Sequence, residues 1–260
     1  MSYLKIPLFL AFLMSFISLP AFAEQGFGAD IKSDYAEFYS ANRFSRMGIV
    51  FSGGAILANS KIDENFQYNY QNKTRTDATN AFSVNAKLLG EHKYLLPLSL
   101  ISAGVSHYLG SGSERSGIGK WGERTARAYF VGGPTVLATQ LLTGASRPHE
   151  DRQVSDWKPF NDVNGVSGHA FVGALPLLTI AYMNKDNAFI KYSAYLASTF
   201  TAASRINDNQ HYLSQAILGW YLAWESVDAV YNVDSKEKEL VTVWPILDQD
   251  SVGVQLSMNW

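Results

Sequence analysis

Residues 167–182 read SGHAFVGALPLLTIAY, and the fold turns on them. Ser167 suits a helix N-cap, because its hydroxyl oxygen can accept one of the unpaired N–H groups of a first helical turn. The apolar run at residues 170–183 is too short to span a bilayer. It reads as a buried helix of a helical protein. Gly168 permits close approach of other backbone. His169 falls in the first turn, where N–H groups and the helix dipole favour an anion. A cap with an incidental histidine is the plainer reading of the same three residues.

Outward from this helix, residues 120–145 carry a long helical pattern that runs into QLLTGASRP, residues 140–148. Gln140 and Arg147 are seven positions apart. A continuing helix puts them on one face, about 10.5 Å apart along the axis. Pro148 disfavours a helical conformation for Arg147, so Arg147 belongs at the helix end, where it can turn towards a pocket. Taken alone, it is equally a surface arginine before a stop. On the other side, residues 188–204 read as a helix closed by Arg205, with residues 184–187 as the turn before it. His211 opens the last long helix, residues 213–230. His211 and Gln215 share a helix face. Gln215 can accept from one ring nitrogen, fix the tautomer and leave the other nitrogen with its lone pair. A structural histidine satisfied by that bond is the alternative. Two arginines offer bidentate donors to a phosphoryl group. One histidine can attack phosphorus while the other protonates the leaving group.

The remaining pattern is mostly helical. Residues 24–34 are a polar lead-in, and residues 35–60 read as one or two helices weakened at Gly53-Gly54. Residues 61–79 are polar and read as a loop with a short helix. Residues 81–109 read as helix broken near Gly90 and Pro97, residues 110–119 as a connection, and residues 148–165 as a loop. Residues 252–260 alternate apolar and small or polar side chains, which is a strand signal. With residues 240–247 they suggest a hairpin. A strand ending in an aromatic residue resembles the last strand of an outer-membrane barrel, but one hairpin closes no barrel. Packing on the helical body is the favoured reading.

Composition narrows the class. The chain has 260 residues, a formal net charge of −2 and no cysteine. Near-neutrality argues against nucleic acid as a partner. Absence of cysteine removes thiolate nucleophiles, thiolate metal sites and disulfides. Residues 1–23 read as a secretory signal: Lys5 is the basic start, residues 6–18 the apolar run, and Ala21-Phe22-Ala23 the cleavage site. The expected organisation is a signal at 1–23, a helical domain at 24–235 and a hairpin appendage at 236–260, with export to the periplasm. The longest later apolar stretch, residues 128–146, contains Gly132, Gly133, Pro134 and Gln140 and is a poor span. A soluble or peripheral protein is expected, with membrane association left open. There is no P-loop, no dinucleotide turn, no H-E-x-x-H and no clustered carboxylate–histidine motif, so no cofactor and no metal is expected. His92 and His107 read as structural, His149 as a flank of the Arg147 motif and Lys158 as an exposed loop lysine. Trp157, Trp220 and Trp224 read as core or interface.

Together the three motifs resemble the type 2 phosphatidic acid phosphatase superfamily, which also holds bacterial non-specific acid phosphatases and vanadium haloperoxidases. The family pattern is K-x6-R-P, then P-S-G-H, then S-R-x5-H-x3-D, and the resemblance covers residues 140–215. It implies a mainly α fold, a helical bundle, and a phosphatase that uses no metal. It implies phosphate binding by Arg147, Arg205, Ser167 and Gly168, general-acid action by His169, and a phosphohistidine formed on His211. The implied substrate is a phosphomonoester or pyrophosphate, carried by a lipid head group or another phosphorylated small molecule. Gln140 stands where the family has a phosphate-binding Lys, Gln215 where it has the Asp that orients the nucleophile, and Val166 where Pro precedes the Ser. Gln140 can donate to phosphate without charge assistance. Gln215 stabilises an imidazolium less than a carboxylate does. Two outcomes stay open: an enzyme, or a relative that binds phosphorylated ligands or serves the envelope without turnover. Nothing in the sequence indicates an oligomeric state.

Overall fold

The computed structural model describes residues 27–109, 117–150, 154–238, 241–248 and 251–258. The expected signal and most of the 110–119 connection lie outside the described residues. Those described form ten α-helices: α1 (Phe27–Phe38), α2 (Ala41–Ala58), α3 (Ile62–Asn69), α4 (Asp77–Ala86), α5 (His92–Leu109), α6 (Gly117–Thr143), α7 (Gly168–Met183), α8 (Ala188–Ser198), α9 (Phe200–Asn207) and α10 (Leu213–Lys238). A π-helical turn, Tyr70–Thr74, extends α3, and a 3-10 turn, Lys87–Gly90, joins α4 to α5. Strands β1 (Val241–Asp248) and β2 (Ser251–Met258) pair antiparallel, with Val241 opposite Met258.

The core forms where α7 packs among α6, α8 and α10. Phe171, Leu175 and Leu178 of α7 join Phe130 and Val131 of α6 and Leu218 and Leu222 of α10 in one buried cluster. A helix surrounded on several sides needs no continuous polar face, which accounts for the apolar run that opens the reading of this chain.

Several boundaries depart from expectation. Helix α5 runs through Pro97, and α6 and α7 contain Pro134 and Pro176. A proline inside a helix removes the N–H that would bond the carbonyl four residues back. For Pro134 and Pro176 those carbonyls belong to Phe130 and Val172. Tyr35 of α1 donates its hydroxyl to Phe130 O at 2.8 Å, and Tyr129 of α6 donates to Val172 O at 2.9 Å. Each freed carbonyl becomes a bond between helices.

The polar stretch 61–79 is largely helical rather than a loop. Two of its polar side chains, Asp63 and Gln67, point inward. Buried Asp63 accepts from the Ser214 N–H at 3.0 Å and from the Ser214 hydroxyl, and so caps α10. Gln67 donates to Ile206 O at 3.1 Å and to Asn209 Oδ1 at 2.7 Å. Helix α2 passes through Gly53-Gly54 unbroken, because Gly54 is where it meets Leu218; a Cβ there would sit 2.9 Å from Leu218 Cδ1. The 188–204 segment divides at Thr199, and α10 continues past residue 230.

Two buried charge clusters tie α10 to α1, α2 and α6. Arg43 pairs with Glu225 and Asp228, each at 2.8 Å, and with Glu37 at 3.1 Å. Arg127 pairs with Asp34 at 2.7 Å and Asp234 at 2.8 Å. Among the described residues, no helix is long and apolar enough to cross a membrane.

Two glycines bring the three motifs together. Gly144 has φ +59° and ends α6 in the left-handed conformation that glycine adopts without strain. Gly219 lets α10 press against the start of α7, since a Cβ there would lie only 2.2 Å from Ser167 O. The Ser167 N–H then donates to Gln215 O at 2.9 Å.

Candidate active site

Arg147 leaves α6 just after the Gly144 turn. Its Nε donates to Asn164 Oδ1 at 2.7 Å, and its Nη1 to Gln210 Oε1 at 3.3 Å. Asn164 is itself held, donating from Nδ2 to Asp162 Oδ1 at 2.7 Å. Arg205 sits in the last turn of α9 and is 9% exposed. Its Nη2 donates to the same Gln210 Oε1 at 3.2 Å. Its Nε is buried and has no hydrogen-bond partner among the described residues. Neither guanidinium forms an ion pair with a carboxylate among the described residues. Burial, and then the neighbouring Arg147, push the Arg205 pKa down, against weaker upward pulls from Asp208 and Glu91. Two cations crowd around one neutral oxygen, which is an arrangement that favours an anion.

His211 follows directly. The N–H groups of Gln210 and His211 both donate to Arg205 O, at 2.9 and 3.1 Å, and fold the loop back on α9. The imidazole is 3% exposed. Its Nδ1 lies 2.9 Å from Gln215 Oε1. The orientation of the Gln215 amide is set by two backbone groups. Oε1 accepts from the Tyr212 N–H at 3.1 Å, and Nε2 donates to Ser146 O at 2.8 Å. A flipped amide would set donor against donor and acceptor against acceptor. Oε1 is therefore the atom that faces His211, Nδ1 carries the proton, and Nε2 keeps its lone pair. Burial and the charge of Arg147 push the His211 pKa down to about 3; Arg205 and His169 add to that, and the bond to Gln215 opposes it. The ring is neutral through the physiological range.

At the start of α7, Ser167 Oγ accepts from the Ala170 N–H at 3.3 Å, so Ser167 is the N-cap. It is fully buried, and its own hydroxyl proton is available for a further bond. His169 is about a third exposed, with Nε2 3.7 Å from Glu91 Oε1. Gln140 donates from Nε2 to Val166 O at 2.9 Å and lies alongside Gly168. Gln140 thus braces the loop before α7 with its amide.

These contacts link Gln140, Arg147, Ser167, Gly168, Arg205, His211 and Gln215 into one end of the bundle. His169 belongs there too, because its charge acts on His211. Other candidates lie apart. Lys158 is exposed and pairs with Asp156 at 3.0 Å. His149 Nδ1 lies 3.0 Å from Asn209 O at the surface. The side chains of His92 and His107 lie outside the described residues. Trp157 and Trp220 pack against the core, as does Trp224. Among the described residues, no group of three His, Cys, Asp or Glu side chains could hold a metal ion. Four participants escaped the sequence reading: Gln210, Asn164, Glu91 and the carbonyl of Ser146. Of these, only Gln210 carried a local signal, a polar acceptor immediately before His211.

Fold and site define a helical domain in which a buried and a partly buried arginine converge near a neutral histidine. The model of the PAP2 superfamily matches residues 129–239, a span that contains every site motif. The match supports membership of the PAP2 superfamily, whose phosphatases act on phosphorylated small molecules or lipids, and at the superfamily level it implies a phosphoric ester hydrolase. No curated protein and no solved structure matches the chain.

Proposed function

We propose that this chain is an exported phosphatase that cleaves a phosphate ester through a phosphohistidine on His211. The observation that carries this reading is the arginine pair. Arg147 and Arg205 share one neutral acceptor, and Arg205 Nε has none. A phosphoryl group would supply the oxygens and the charge that both guanidiniums lack. The His211 Nε2 lone pair attacks phosphorus, forming the P–N bond as the P–O bond to the leaving group breaks. His169 gives its proton to the departing oxygen. His169 then takes a proton from water, whose oxygen attacks phosphorus and breaks the P–N bond. Gln215 Oε1 accepts the hydrogen bond from Nδ1–H throughout and holds the ring, with less stabilisation of positive charge than a carboxylate provides. Residues 1–23 support export to the periplasm, and the superfamily supports a lipid phosphate as substrate.

The rival is a non-catalytic binder of phosphorylated ligands. The neutral Gln215 beside His211 and the engagement of Gln140 with Val166 O favour it. Acid-quench trapping with labelled substrate separates the two. Wild type should form an acid-labile phosphoenzyme, His211→Ala should form none, and His169→Ala should still form it from esters with good leaving groups. Vanadate should inhibit, and EDTA should not. Label that persists in His211→Ala removes His211 from the role. Phosphate binding without label or turnover establishes the binder.

A further inference from the structure

We propose that Glu91 sets the leaving-group preference of this site, favouring monoesters of uncharged or cationic alcohols over pyrophosphates. The inference rests on the phosphatase reading above. Glu91 stands between the 3-10 turn Lys87–Gly90 and α5. That turn is pressed onto the start of α7. A Cβ on Gly90 would lie 2.6 Å from Thr201 Cγ2 and 3.0 Å from His169 O, so only glycine fits. The close approach brings Glu91 Oε1 to 3.7 Å from His169 Nε2. The same carboxylate is a minor upward pull against the net fall of the Arg205 pKa, so its field reaches the phosphate-binding side as well.

His169 is the group assigned to protonate the leaving oxygen. An oxygen accepting from Nε2 at an ordinary length of about 2.9 Å lies within about 7 Å of Glu91 Oε1. The leaving group therefore departs past a carboxylate. A neutral alcohol is indifferent to it, an ammonium on the alcohol is attracted, and a departing phosphate is repelled. At such a distance the interaction changes relative rates by on the order of ten- to a hundredfold per unit charge. Lys93 Nζ lies 3.7 Å from the other Glu91 oxygen but is solvent-exposed, which weakens its hold on the pair.

The cation count points the same way. Two guanidiniums serve one phosphoryl group. Gln140 brings no charge, and Lys158 pairs with Asp156 at the surface. Nothing in this set provides a further cation for a second phosphate.

The test uses the whole exported chain with three substrates: phosphoethanolamine, glycerol 3-phosphate and inorganic pyrophosphate. Wild-type kcat/KM should fall in that order. Glu91→Gln should raise the ratio of pyrophosphate to glycerol phosphate at least about tenfold and lower the phosphoethanolamine advantage. Glu91→Ala should give the same ratios, and thermal melting shows which variants are folded. A uniform loss on all three substrates, or unchanged ratios in both folded variants, overturns the proposal and leaves Glu91 as a support for His169. Failure of wild type to hydrolyse any of the three overturns the phosphatase reading itself, and this inference with it.

Discussion

The bundle buries arginine in two ways. At the α1–α2–α10 end, Arg43 and Arg127 are each 2% exposed and have carboxylates within 2.8 Å. At the α7 end, Arg205 is nearly as buried, yet it shares a glutamine oxygen with Arg147 and leaves its Nε without a partner. The direction of titration follows. Burial opposes the charge in both places, but the carboxylates outweigh it and raise the pKa of Arg43, whereas Arg205, beside a second cation, is shifted down. A buried charge is costly unless it is paired. The first pair of arginines meets that requirement inside the fold. Among the described residues the second pair does not, which is what the proposed phosphate site requires and a structural cluster of the same residues does not.

Crossed substitutions give the largest effect. Glu225→Ala should cost about 1–3 kcal/mol in denaturant unfolding, because it removes the buried carboxylate that Arg43 and Arg46 share and leaves Arg43 with Asp228 and Glu37 alone. Arg205→Ala should leave stability unchanged or raise it, while lowering turnover on the order of 100- to 1000-fold. Added phosphate should raise the melting temperature of wild type and not of Arg205→Ala. Loss of stability in both variants would erase the distinction between the two regions.

Acid gives the next effect. His211 is neutral when folded because burial and the charge of Arg147 hold its pKa near 3. The unfolded chain binds that proton near pH 6.5. Stability is therefore undiminished above about pH 6.5 and falls by about 1.4 kcal/mol per pH unit as pH drops from there towards 3. Urea melts of His211→Asn between pH 7 and pH 4.5 should show a shallower acid dependence than wild type. Parallel curves would mean that the ring is not buried beside the Arg147 charge.

A smaller effect concerns Gln215. Its amide serves the Tyr212 N–H and Ser146 O at once. An aspartate is shorter and has no donor for the Ser146 carbonyl, so Gln215→Asp should cost about 1–3 kcal/mol whatever it does for rate. No loss in urea unfolding would show that a family-type carboxylate fits here unopposed. The smallest effect lies in the frame between the two ends. Tyr35→Phe leaves Phe130 O without its hydroxyl donor and should lower stability by about 1 kcal/mol.

The site was legible where chemistry follows local spacing. His211 and Gln215 meet because positions i and i+4 share a helix face. Ser167 caps α7 because its hydroxyl matches a first-turn N–H. Glu91 and Asn164 were not legible, since each reaches its partner, His169 or Arg147, only across the fold. Residues 61–79 were misread because their buried face is polar. Asp63 and Gln67 are satisfied by Ser214, Ile206 and Asn209, and an inward polar face carries no apolar period. Helix continuity through Pro134 and Pro176 depends on tyrosines from other segments, which no local window contains.

By itself, then, the sequence determined a helical protein, the Ser167 cap and the meeting of His211 with Gln215, because capping and helix period are properties of neighbouring residues. Only the tertiary structure decided which arginines meet a carboxylate, which way the Gln215 amide points and that Glu91 stands beside His169. Those outcomes depend on helix-to-helix approach, at Gly90 and Gly219 above all, and the match of charge to charge is settled only when distant backbones are packed.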